Sequence, residues 1–287
     1  MKNLLLTALV FCFTSQLTSA QDTGKELTEQ PPQVPEKYAA HNKGKWFVNW
    51  GGNRESYSKS DITFTGNGYN FTLNDVKAHD KPKGVHMDYI DPLRMTIPQT
   101  NFRFGYYFTD KYSISLGVDH MKYVMTKNQT VNMSGTIDGH APFNGTYQND
   151  PTVMTEDFLM FEHTDGLNYV NSELTRLDDI SWIFGWNIDK IQFNTVLGAG
   201  VGLLYPKTNT TLMSMQRHDD FHISGYGTDL KVGFNLTFFK HFFIQTEMKG
   251  GYIDMSDIRT TQSPDDRAKQ HFTFLQGNFV VGGIFRV

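Results

Sequence analysis

The segment Phe221–Asp254, FHISGYGTDLKVGFNLTFFKHFFIQTEMKGGYID, carries two alternating runs separated by the turn Phe239-Lys240-His241. From His222 to Phe238 the even positions read His, Ser, Tyr, Thr, Leu, Val, Phe, Leu, Phe. Between them lie Gly225, Gly227, Asp229, Lys231, Gly233, Asn235 and Thr237. After the turn, Ile244, Thr246, Met248 and Tyr252 share one face, and Gln245, Glu247 and Lys249 share the other. A period of two is the mark of a β-strand, and the short turn makes the pair an antiparallel hairpin. One face is apolar and aromatic, the other glycine-rich and charged. That is the pattern of a barrel with lipid outside and a polar interior.

The same alternation recurs on both sides of this hairpin. It predicts strands at about 45–53, 99–108, 112–126, 167–177, 191–205, 222–238, 242–254 and 272–287, an all-β, eight-stranded, up-and-down transmembrane barrel over 45–287. Connections alternate between short (109–111, 182–189, 239–241) and long (54–98, 127–165, 206–221, 256–270). Such barrels have short periplasmic turns and long extracellular loops, so this parity puts both termini in the periplasm. Part of the first long loop, Asp61 to Val76, alternates and reads as a hairpin standing above the membrane. Tyr106, Tyr107, Tyr112, Trp182, Trp186, Phe238, Phe239, Phe242 and Phe243 gather at the short-turn end as an interfacial girdle.

Arg103, Lys231, Lys249 and Arg286 all fall on the glycine-rich face. A Lys or Arg against mid-bilayer lipid costs ~2–4 kcal/mol. Four such costs would consume most of a domain's ~5–15 kcal/mol of stability. They therefore face inward, as do Asp119, Glu173, Asp229 and Glu247, giving a near-neutral interior network. Eight strands enclose a space that side chains just fill. A salt-bridged plug is the expected reading, with a gated narrow pore as the sharper alternative.

Residues 1–20 read as a secretory signal: Lys2, the apolar run Leu4 to Phe13, then Thr18-Ser19-Ala20. Residues 21–44, with Pro31-Pro32-Gln33-Val34-Pro35, read as a periplasmic lead-in. The single cysteine, Cys12, lies in the signal, so neither disulfides nor thiolate metal sites are expected. The 26 basic residues less Lys2 stand against 30 acidic ones, and nothing points to nucleic acid.

Signal, eight alternating strands, girdle and the aromatic-rich strand ending Phe285-Arg286-Val287 together resemble the small outer-membrane β-barrel proteins of Gram-negative bacteria. That superfamily includes the OmpA-, OmpX- and OmpW-type barrels and the lipid A deacylases. The loops are closer in style to Bacteroidota-type members. Where the family ends in Phe, this chain ends in Val287. The resemblance implies insertion by the barrel-assembly machinery, contact with outer-membrane lipids and lipopolysaccharide, and a bacterial outer-membrane location.

One short motif points to chemistry. His222 and Ser224 sit two apart on one predicted face, where an imidazole can activate a hydroxyl. Residues summing to about 480 lie opposite each other, which makes Asp254 a diagonal neighbour able to orient His222. The pair is similar to the His-x-Ser of lipid A deacylases, whose carboxylate is a Glu. Against this stands the plain reading of two interfacial polar residues closing a strand. A non-enzymatic surface protein is therefore the first expectation, a lipid A esterase the second and a narrow solute pore the third.

The loops hold His79-Asp80, His86-Met87-Asp88, Asp91, Glu162-His163 and His218-Asp219-Asp220. Polar outer loops take this composition without metal, so no metal or cofactor is expected. A ligand of the protein would meet the loops 54–98 and 127–165. Strict alternation sends His120 and Lys122 toward lipid, and either they reach the headgroups or a bulge shifts the register.

Overall fold

A computed structural model describes residues 41–82, 99–215, 217 and 220–287. The signal, most of the lead-in, His86, Asp88, Asp91, His218 and Asp219 lie outside them. In chain order the strands are β1 (Trp46–Tyr57), β2 (Ser60–Gly66), β3 (Tyr69–Val76), β4 (Ala78–His79), β5 (Thr100–Tyr107), β6 (Tyr112–Met125) and β7 (Thr130–Ile137). There follow β8 (Gly145–Val153), β9 (Leu159–Asp179), β10 (Ile191–Leu204), β11 (Asn209–Leu212), β12 (Gly225–Phe238), β13 (Phe242–Arg259) and β14 (Arg267–Phe285).

Eight of these close a ring in the order β1-β5-β6-β9-β10-β12-β13-β14, all antiparallel. Closure is made by β1, where Trp50 lies opposite both Phe102 of β5 and Val281 of β14. The hairpin read from sequence is present in the expected register, with Gly225 opposite Met255. Its turn places Phe239 and Lys240 at φ 51° and 64°. Positive φ at two successive residues of this three-residue connection helps give it the twist that its flanking strands need.

The outer wall of the ring is apolar. Phe102, Phe104, Leu116, Leu174, Leu197, Leu230, Phe234, Met248 and Phe279 are exposed, Leu116 by 69%. Soluble surfaces rarely carry contiguous apolar patches beyond a few hundred Å². Trp182, Phe184, Trp186, Phe239 and Phe242 rim the short-turn end, where a single 3₁₀ turn, Ser181–Phe184, joins β9 to β10. The ring is a transmembrane barrel, and this belt is its lipid-facing surface.

Beyond the belt, at the long-loop end, the wall continues upward. β2 extends the line of β1 along β14, with Thr63 opposite Lys269, and β3, β7 and β8 are added in turn. On the other side β4 pairs with β6, and β11 with β9. The expected hairpin between Asp61 and Val76 is therefore β2–β3. The rest of the expected loops 54–98 and 127–165 is corrected in part: β7, β8 and the start of β9 are strands. So are the ends of the expected loop 256–270, leaving 260–266 as the connection.

In β7 the inward residues Val131, Met133 and Ile137 stand singly among Thr, Asn, Ser and Gly, so its alternation is weak in the sequence. Ile62, Phe64, Tyr69, Phe71, Leu73, Val131 and Met133 meet Tyr123, Phe161, Ile253, Met255 and Phe272 in one buried cluster. The interior of the barrel thus changes character along its axis, polar beside the lipid belt and apolar above it. Above the belt water lies outside the wall, so the ordinary hydrophobic effect fills the interior.

Candidate functional site

Alternation along the strands carries seven of the eight expected interior charges into one network. Glu173 on β9 sits at its centre, 2.9 Å from an Arg103 nitrogen, 2.6 Å from Lys231 Nζ and 2.7 Å from Lys249 Nζ. Lys249 also reaches Asp119 at 2.5 Å, and Arg103 reaches Asp119 at 3.2 Å. Lys231 spans to Glu247 at 3.2 Å. Asn171 ties the two ends, accepting from Arg103 at 2.8 Å and donating to Asp119 at 3.0 Å. Asp229 accepts the Tyr169 hydroxyl at 2.8 Å. Gly198 and Gly200 face these groups. A Cβ at Gly200 would meet the Asp229 carboxylate at 2.4 Å, so glycine there makes room for the charges.

Arg286 is the exception. It follows the last residue of β14, is exposed, and donates to the Lys43 carbonyl at 3.4 Å. Alternation holds only to the end of β14 at Phe285, and the Arg286 side chain clears the rim. Three cations then face four carboxylates in the network, one negative charge in excess.

Both ends of this polar lumen are closed by apolar side chains. Phe47, Tyr107, Leu177, Phe243 and Ile284 close the short-turn end, and the large cluster described above closes the other. The void among Arg103, Lys231, Tyr107, Phe243 and Gln245 is about 10 Å³, room for about one water.

The upper core holds polar groups that alternation alone could not assign. Tyr123 accepts from Gln270 at 2.6 Å and lies 3.1 Å from the Ser60 hydroxyl. His163 is buried beside them with Nδ1 2.8 Å from Thr208 Oγ1, and burial pushes it down to about 4. It is therefore a neutral core imidazole. Burial, with Asp266 beside it, pushes the Tyr69 hydroxyl up, so it too stays neutral. His120 is buried and bonded to Asn168 at 2.7 Å, and a register shift lies between Met121 and Tyr123. Asp119, Met121 and Tyr123 stay buried on both sides of that shift, which β9 absorbs between His163 and Leu167, so the alternation of β6 runs through it and His120 stands opposite Asn168 on the other face.

His222, Ser224 and Asp254 do not assemble into a triad. β12 begins at Gly225, so the strand expected from 222 starts three residues later. Ser224 is 1% exposed and its hydroxyl has no partner among the described residues. Its backbone is held on both sides, by the Leu204 carbonyl and the Asp257 amide. His222 turns to backbone instead, Nε2 lying 2.7 Å from the Asp257 carbonyl and Nδ1 3.3 Å from that of Asp220. Asp254 accepts from Tyr252 at 3.4 Å on the outer wall. The carboxylate near His222 is Asp257, 4.0 Å from Nε2. A buried hydroxyl without a partner carries a desolvation cost of ~1–3 kcal/mol. Ser224→Ala is accordingly expected to leave stability unchanged or raise it by up to ~1 kcal/mol, checked by urea titration in micelles.

Among the described residues no group of three or more His, Cys, Asp or Glu side chains is arranged to hold a metal ion.

No family model matches the chain, and no curated protein sequence matches it. Solved structures do. OprG from Pseudomonas aeruginosa shares 11% identity over 87% of this chain and 99% of its own, with a TM-score of 0.39. AlkL, solved in lipid bilayers, shares 9% over 90% and 98%, with a TM-score of 0.42. Ail, the attachment invasion locus protein of Yersinia pestis, shares 9% over 83% and 99%, with a TM-score of 0.27. In architecture the chain is similar to small outer-membrane β-barrel proteins.

Proposed function

We propose that this is a non-enzymatic outer-membrane protein of a Gram-negative bacterium, exported by residues 1–20 and inserted by the barrel-assembly machinery. In this reading the short-turn end and both termini face the periplasm. The upper wall and its connections stand outside the cell, where segments 54–98 and 127–165 meet any ligand. Its work is done by that outer surface and not by conduction. The observation that carries this is the sealed lumen: an ion-paired middle with an apolar plug at either end. An ion crossing it would have to displace paired charges and then enter two dry clusters, each step costing several kcal/mol.

Planar-bilayer recording on the folded protein tests the reading. No unitary conductance is expected at any voltage the bilayer tolerates. Reproducible single-channel steps would overturn it and restore the narrow-pore alternative.

A further inference from the structure

The lipid-facing side of β14 does not end where the apolar belt ends. Val281, Phe279 and Leu275 point outward into the belt, and Thr273, His271 and Lys269 continue the same face, all exposed. Lys269 lies ~20 Å along the strand beyond Leu275, at ~3.4 Å per residue. From it a row runs across the upper wall through paired residues, Lys269, Thr63, Thr72, Ser134 and Gln148, the last step beside a register shift between β7 and β8. The neighbouring row repeats the chemistry with Thr65, Asn70 and Thr136. All of these are exposed or half-exposed, on a grid of ~4.8 Å between strands. The wall is therefore a field of hydroxyls and amides with a basic edge. Each such group both donates and accepts, and none carries a charge that must be stripped of water on contact. Continuity with the lipid-facing belt fixes what lies against it: the part of the surrounding glycolipid that projects beyond the acyl chains.

We propose that this wall docks the oligosaccharide of the lipopolysaccharide in which the barrel stands, its hydroxyl and amide rows against the sugars and Lys269 against an anionic group among them. The proposal rests on the outer-membrane orientation given above. Lys269 is exposed on β14, opposite Thr63. Within the field Thr63 and Thr72 pair by their hydroxyls at 2.9 Å, Thr65 Oγ1 donates to the Arg267 carbonyl at 3.5 Å, and Ser134 Oγ accepts from the Asn149 amide at 3.1 Å, none of them a contact with the buried apolar cluster.

The test is titration of the folded protein in micelles with two probes, lipid A alone and lipopolysaccharide bearing its core oligosaccharide. Lipopolysaccharide is expected to bind more tightly than lipid A. Lys269→Glu is expected to lower its affinity about fivefold or more, the fold-change of one basic residue near an anionic surface. Thr63→Ala with Thr72→Ala is expected to lower it as well, and neither variant to change lipid A binding. Heat-modifiable electrophoretic migration checks that each variant is folded. Equal affinity for the two probes, or variants that bind like the parent, would overturn the saccharide wall while leaving the outer-leaflet reading intact. A folded parent that binds neither probe would overturn both.

Discussion

Lys249→Met is expected to destabilise the barrel by about 3–5 kcal/mol, the cost of stripping one partner from a buried ion pair. Lys249 is 0% exposed, and its ammonium is the only group that touches both Asp119 and Glu173 from β13. Without it, Asp119 keeps Arg103 and Asn171, while Glu173 keeps Arg103 and Lys231. The network, already one negative charge in excess, would hold four carboxylates against two cations. Urea titration of the refolded protein in micelles or bilayers measures the loss. A change below ~1 kcal/mol would mean the network is solvated and contributes little. Removing Asp119 together with Lys249 should recover part of the loss, since a matched apolar pair leaves no orphaned charge.

The network also sets the register of the ring. Sliding β12 or β13 by one residue would turn Lys231, Glu247 and Lys249 into lipid. Each cation moved to mid-bilayer costs ~2–4 kcal/mol. An apolar interior would carry no such penalty, because both faces of the wall would then suit lipid equally. Charge inside the barrel thus fixes which face is inside.

That asymmetry is why so much of the ring was legible from residues alone. Period-two alternation located the strands, and the cost of lipid-exposed charge told the two faces apart. Gly225 opposite Met255 follows from counting back from the turn. Arg286 and His222 lie past strand ends, and nothing in period two says where a strand stops. Of the upper wall only the hairpin within Asp61 to Val76 was legible, for a different reason. Above the belt the solvent outside is water, so inward Phe64 and Phe71 and outward Thr63 and Thr72 reverse the polarity used below. The β7 run Val131-Asn132-Met133-Ser134 alone cannot be told from a loop of mixed composition until its partners are known. The register shift opposite Met121–Tyr123 is likewise invisible in β6 alone, because it is taken up on β9 between His163 and Leu167.

The two interiors are held by opposite physics, and Phe71→Ala should separate them. Phe71 is buried in the upper core, stacked on Phe64 at 5.2 Å and 5.8 Å from Phe158. Truncating a buried Phe costs ~3–5 kcal/mol through lost burial and the cavity left behind. The loss falls on β2, β3, β7 and β8, which hang from the barrel through β14 alone along the sheet path. The lower ring has its own closure, β1 against β14 over twelve registered pairs from Trp46 to Tyr57, and none of these requires β2. Proteolysis of the variant is therefore expected to speed up within 130–153, where β8 is the free edge of the sheet, while the ring keeps its heat-modifiable migration. Loss of that migration in Phe71→Ala would show the upper core and the ion-paired lumen to be one cooperative unit. The apolar cluster would then be as much a part of barrel closure as Lys249 is.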